Sequence, residues 1–293
     1  MRTRLAWIGL VGLMGLTRAV LPGSSAPSPS QAPVAVTRAT HAAPALPRTL
    51  WLLAAAHFAQ VVTVPAVRQL FDTGLVYEPI SARQAPSTLV PVIPTMDFHS
   101  EALLAATVTA RTFPRDIRAV IYDNERFPNT PRVEQERIVQ YTAKAAAVAT
   151  AHHLQSICDF IQPDRLPVAQ RHPVNEVPAC SIIGLNTVQQ SERNPTTYRR
   201  VVSQEVAVIR VVRPHALIIA GLSANPRGTS VTARELTMDM EAVAPMVNGF
   251  WLNVPAPGVG CPQCHQPDPQ VMARALAALP HDFRTGTALS PRV

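Results

Sequence analysis

Asp123 and Glu125 stand two residues apart at the end of an apolar run, Ala119-Val-Ile-Tyr122, and a proline-punctuated stretch, Arg126-Phe-Pro-Asn-Thr-Pro131, follows them. On an extended chain that spacing sends both carboxylates to one face. Carboxylates that close a buried strand cost free energy unless they are paired, hydrated or put to use. A neighbouring carboxylate together with partial burial raises the pKa of one acid, which then keeps a proton near neutrality. Giving that proton to a leaving oxygen is what cleavage of a glycosidic bond requires. The competing reading is structural, with the pair bonded to Arg126, Arg118 or loop amides.

For the pair to face an opening, the chain must deliver it at the carboxyl end of a strand. The 293 residues are 47% hydrophobic and 15% charged, which suits one large core better than two small ones. Short apolar runs alternate with longer helical patterns. Strands are expected over 74–77, 89–96, 118–122, 154–161, 180–188, 216–222 and 247–254, and over 49–56 a strand or a short buried helix. Helices are expected over 99–112, from Thr130-Pro131 to about His152, from Asn194-Pro195 to about Val212, from Thr232 through Val243, and from Asp268 to Leu279. Thr130 and Asn194 read as caps, each with proline at the first helical position. Residues 162–179 carry prolines without helical period and read as an irregular crossover. Eight strands mostly separated by helices, over roughly 245 residues, match a (β/α)8 TIM-type barrel. A doubly wound open sheet would usually carry a Gly-rich phosphate loop after its first strand, and none is present.

In such a barrel the strand ends line one mouth. His57 follows the first strand, Asp97 the third, Asp159 the fifth, Gln189 and Gln190 the sixth and Asn225 the seventh, while Trp251 and Asn253 belong to the eighth. Asp97, Gln189, Asn225, Asn253 and His57 are candidate substrate contacts. The Trp251 indole suits a sugar ring's apolar face, and core packing is the equal alternative. Tyr122 has the parity opposite to Asp123 and should face the helices. His57 and His99 read as lone, hydrogen-bonded histidines. No His/Asp/Glu set has metal-site spacing along the chain, so neither a metal nor another cofactor is expected. No Gly-x-Ser-x-Gly elbow occurs to support a serine nucleophile.

Cys261-Pro-Gln-Cys264-His265 has the form of a c-type haem attachment site, and an exported haem protein is therefore one alternative. A local disulfide or a thiol pair at Cys261 and Cys264 is the preferred reading of that Gly- and Pro-rich loop. Cys158 and Cys180 fall on adjacent strands and are a second candidate pair, with connectivity left open.

The Asp123-x-Glu125 ending resembles glycoside-hydrolase barrels of the chitinase and muramidase kind, which carry Asp-x-Glu at the end of the same strand. The resemblance implies Glu125 as the general acid, with Asp123 orienting it and the substrate. The longer acidic series of the chitinase motif is missing, since residues 119–122 are Ala-Val-Ile-Tyr. A group of uncharacterised secreted actinobacterial barrel proteins is more closely similar. They share Tyr-Asp-x-Glu, Thr-Pro and Glu-Gln, seen here at 122–125, 130–131 and 134–135, and also Gly-Leu-Ser-x-Asn-Pro at 221–226 and Trp-Leu-Asn at 251–253. The resemblance implies fold and export and brings no assigned activity.

The amino terminus carries a basic Met1-Arg-Thr-Arg4 and an apolar Leu5–Leu16, followed by small residues with candidate cleavage near Ala19 or Ala26. Residues 1–26 read as a signal peptide, an uncleaved anchor being the alternative. Residues 27–47, rich in Pro, Ala and Ser, read as a disordered linker before a barrel domain at 48–293. The net charge of +7 is almost all arginine, Lys144 being the only lysine, and it is spread along the chain. Nucleic acid is excluded as a partner, because a nucleic-acid footprint is a concentrated patch. A secreted barrel that cleaves a glycan, free of the membrane once its leader is removed, is the expectation. A non-catalytic carbohydrate-binding barrel is the alternative.

Overall fold

Strands enclosed by helices are buried on both faces, so the short runs in this chain are apolar almost throughout. The computed structural model describes residues 49–81, 85–124, 129–159, 179–185, 192–225, 229–255 and 268–280, with Pro257, Pro262 and Phe283. The expected leader, linker and crossover at 162–178, Glu125, Gln189, Gln190 and the Cys261/Cys264 pair lie outside them.

The strands are β1 (Leu50–Leu53), β2 (Leu75–Pro79), β3 (Val92–Phe98), β4 (Ala119–Tyr122), β5 (Gln155–Asp159), β6 (Ile182–Leu185), β7 (Leu217–Ser223) and β8 (Gly249–Asn253). They pair in parallel in chain order, and β8 returns to β1 to close a barrel. The helices are α1 (Ala55–Val61), α2 (Pro65–Thr73), α3 (Glu101–Thr109), α4 (Arg132–Glu136), α5 (Ile138–Ala151), α6 (Pro195–Val212), α7 (Ala233–Val243) and α8 (Pro269–Ala277). This is a (β/α)8 barrel. None of the described helices is long and apolar enough to cross a membrane.

Alternate strand residues sort cleanly. Leu50, Leu52, Ala119, Ile121, Ile157 and Ile182 belong to an interior cluster. The intervening residues pack outward in two clusters, one under α3 and α5 and a larger one under α1, α2 and α6–α8. Burying one such Leu or Ile contributes about 1.5–3 kcal/mol, so the three clusters dominate the fold's stability.

Local chemistry starts the helices where the sequence indicates. Asn194 Oδ1 accepts from Thr197 N at 3.0 Å ahead of Pro195, and Thr232 and Glu235 form a reciprocal capping box on α7. The expected helix from Thr130 to His152 is corrected. Pro131, not Thr130, holds the cap position, and Arg137 leaves helical geometry (φ −129°, ψ 46°), dividing the segment into α4 and α5. The division carries Glu134 inward. Its Oε1 accepts from Ser100 Oγ at 3.0 Å and its Oε2 from Glu101 N at 2.8 Å, so a buried carboxylate sits at the amino end of α3. That is where the helix dipole favours negative charge.

Cys158 and Cys180 form a disulfide, with Cα atoms 6.0 Å apart. Both cysteines are fully buried in the outer cluster under α3 and α5. In the β5–β6 register Cys158 lies opposite Ile183, so Cys180 starts three positions lower. A bend at 180–181 brings it back across the helix-facing side of β5. Such a bridge fits an oxidising, extracellular setting.

Candidate active site

Asp123 leaves β4 on the same side as Ala119 and Ile121, which places it toward the interior above their apolar layer. Its N–H donates to Phe98 O at 3.0 Å, extending the β3–β4 ladder one step past the strand end. Only 8% of Asp123 is exposed. Asn124 turns the other way and donates from Nδ2 to Thr142 Oγ1 on α5 at 3.1 Å. The intervening residue of the Asp-Asn-Glu trio is thus anchored in the helical layer, on the face opposite Asp123.

Register brings β3 alongside. Asp97 is paired with Ile121 and Phe98 with Tyr122, so His99 comes level with Asp123. His99 Nδ1 lies 3.0 Å from the Asp123 carbonyl oxygen. A carbonyl only accepts, so Nδ1 carries the hydrogen in this contact. One donor atom from each of Asp97, His99 and Asp123 lies within 4.8 Å of the other two. Asp97 is within β3, not after it as the sequence suggests, and is exposed toward solvent. The sequence treats His99 as an isolated histidine; the Asp97-x-His99 spacing sets both on one face at the end of β3, and only the register with β4 adds Asp123.

The opposite wall is built on an absent side chain. A Cβ at Gly184 would lie 2.8 Å from Trp251 Cε3 and 3.3 Å from Asp159 Oδ1. The indole therefore reaches from β8 across the lumen onto β6, beside Asp159 at the end of β5. Trp251 is 8% exposed and belongs to the interior cluster, so it packs as the floor beneath the mouth. Asn253, half-buried, faces Ser223 in register, and Asn225 N donates to Ser223 Oγ at 3.2 Å. His57 sits at the start of α1, half-buried. Burial lowers its pKa, and a hydrogen bond to the Val254 backbone opposes that shift.

Behind β7, sequence reasoning missed a set of buried acids. Glu192 Oε1 accepts from Ser223 N at 2.9 Å, and Glu192 is fully buried. Asp239 on α7 is also fully buried, and its carboxyl is pushed up to about 8, first by desolvation and then by the charges of Glu192 and Glu235. Tyr198 beneath them donates to Gly221 O at 3.0 Å. The signal was present: Asp239 falls on the buried stripe of α7 formed by Leu236, Met240 and Val243.

No protein-family model matches the chain, and no curated protein matches it. Solved structures do. A chitinase from Chromobacterium violaceum is similar at 11% identity and TM-score 0.45, over 78% of this chain and 98% of that one. The spore cortex-lytic enzyme SleL from Bacillus megaterium is similar at 9% identity and TM-score 0.43, over 81% and 75%. A Coccidioides immitis structure named as a fructose-1,6-biphosphate aldolase is similar at 12% identity and TM-score 0.42, over 83% and 92%. The likeness is one of fold.

Proposed function

We propose that this barrel is exported and hydrolyses glycosidic bonds in a glycan, with Glu125 as general acid and Asp123 as its orienting partner. The observation that carries the reading is the position of Asp123. It is an almost fully buried carboxylate on the inward face at the carboxyl end of β4, at the end of the barrel where this fold builds its sites. Glu125 follows by two residues in the sequence, and neighbouring acids of this kind drive their pKa values apart. Trp251 and Asp159 close the floor beneath, and Asn253 and Asn225 supply hydrogen-bonding groups at the ends of β8 and β7. Export rests on the basic-then-apolar amino terminus and on the Cys158–Cys180 disulfide.

One observation favours the second reading, a barrel that binds glycan without cutting it. The inward positions of β4 below Asp123 are Ala119 and Ile121, so no further acid on that strand supports the pair. Reducing-end release by the domain from residue 45 onward, measured on peptidoglycan, chitin, α-glucan and β-glucan, separates the two. A hydrolase releases ends from at least one polymer, and Glu125→Gln removes at least about 100-fold of the rate while sparing binding. Binding without release by the native chain would support the second reading and end the first.

A further inference from the structure

We infer that the mouth of the barrel holds one divalent metal ion of the zinc class, bound by Asp97, His99 and Asp123. This goes beyond the glycoside-hydrolase reading and does not need it, since Asp123 alone of the three has a catalytic role there and Asp97 only a candidate substrate contact. Three ligand-type side chains converge here from two strands. Asp97 and His99 are alternate residues at the end of β3, and the β3–β4 register sets Asp123 beside His99. One donor atom from each lies within 4.8 Å of the others. In a tetrahedral site with metal–ligand bonds near 2.0–2.2 Å the donors sit about 3.4 Å apart, so each pair closes by at most about 1.4 Å. Asp97 is exposed and can supply much of that movement by rotation about its side-chain torsions.

The histidine is already prepared. Its Nδ1–H donates to the Asp123 carbonyl at 3.0 Å, which orients the ring beside the two carboxylates. That is the supporting contact ligating histidines usually make. The donor set also selects the ion. Calcium takes six to eight oxygens and magnesium prefers oxygen and water, whereas one imidazole with two carboxylates suits zinc or a similar transition ion. With three protein ligands, the fourth position is left for water or a substrate oxygen, the arrangement of an open rather than a structural zinc site. Asp123 is nearly buried, His99 half-buried and Asp97 exposed, so the open position faces the solvent side of the mouth.

The test is zinc binding by the tag-free domain after chelator treatment, followed by calorimetry and by metal analysis of the dialysed protein. Cys261→Ser/Cys264→Ser is run in parallel, because that thiol pair with His265 is the rival zinc site. One equivalent is expected in both proteins. His99→Ala and the isosteric Asp97→Asn should each weaken binding by more than about tenfold, the lower bound for losing even a supporting contact. Glu125→Gln should bind zinc as the native chain does, so the outcome is separate from the reducing-end assay. Thermal unfolding of each apo variant confirms that it is folded, and Asp97→Asn at an exposed position keeps the test decisive if His99→Ala unfolds. Zinc lost with the cysteines, or held equally by the Asp97 and His99 variants, overturns the assignment.

Discussion

The Tyr122 hydroxyl donates to Glu134 Oε2 behind the strand end that carries Asp123. Tyr122 faces outward and Asp123 inward, so one strand end is pinned on its helical side while it offers a carboxylate to the mouth. Glu134 accepts from Tyr122, Ser100 and Glu101 together, tying α4, β4 and the start of α3 into one unit. Burial and the neighbouring Glu134 raise the Tyr122 pKa well above that of an ordinary phenol, so it remains a donor.

Tyr122→Phe removes one hydrogen bond to a charged group from a buried site. The expected loss is about 1.5–3 kcal/mol, read as a fall in Tm of about 2–4 °C for each kcal/mol in a domain of this size. A double-mutant cycle with Glu134→Gln should show the two losses to be non-additive. Additive losses would mean that the pair does not act together.

Gly184 and Trp251 are matched as space and filler. Gly184→Ala sets a Cβ 2.8 Å from an indole that is itself buried, so the ring or the strand must move. Overpacking of this kind costs about 1–3 kcal/mol. Trp251→Leu in the same chain should recover part of that cost, which thermal unfolding of the two single variants and the double variant would show. If Gly184→Ala unfolds with the native Tm, the indole does not rest on β6.

Asp239 gives stability a slope with pH. Its folded pKa of about 8 lies above the ordinary 3.8. Below 3.8 the carboxyl is protonated in both states, and the contribution is fully present. As pH rises toward about 8 the unfolded chain releases its proton first, and stability falls through the folded pKa. Asp239→Asn keeps the shape without the ionisation. Its Tm should decline less than that of the native domain between those limits. Parallel Tm–pH profiles would assign the buried proton elsewhere.

The barrel was legible because its signals are local. Eight apolar runs with intervening caps, such as Asn194-Pro195 and Thr232 with Glu235, need no tertiary information to be read. Residues 49–56 resisted because they are both things in turn, a strand to Leu53 and a helix from Ala55. The break at Arg137 was not legible, since periodicity cannot show that Glu134 is drawn to Ser100, Glu101 and Tyr122. The convergence of Asp97, His99 and Asp123 was hidden for a similar reason. It depends on a strand register, and register is settled by the packing of whole strands, not by spacing along one of them.

The Cys158–Cys180 bridge joins positions 22 apart and encloses nearly all of the connection between β5 and β6. Any peptide bond cut inside that interval leaves a single covalent molecule. The portion carrying β1–β5 and the portion carrying β6–β8 would stay leashed by a sulfur–sulfur bond buried under α3 and α5. Each half then meets the other at the effective concentration of a short tether, without diffusing to find it. In surroundings shared with proteases, a cut between these two cysteines would therefore leave both parts of the chain covalently joined.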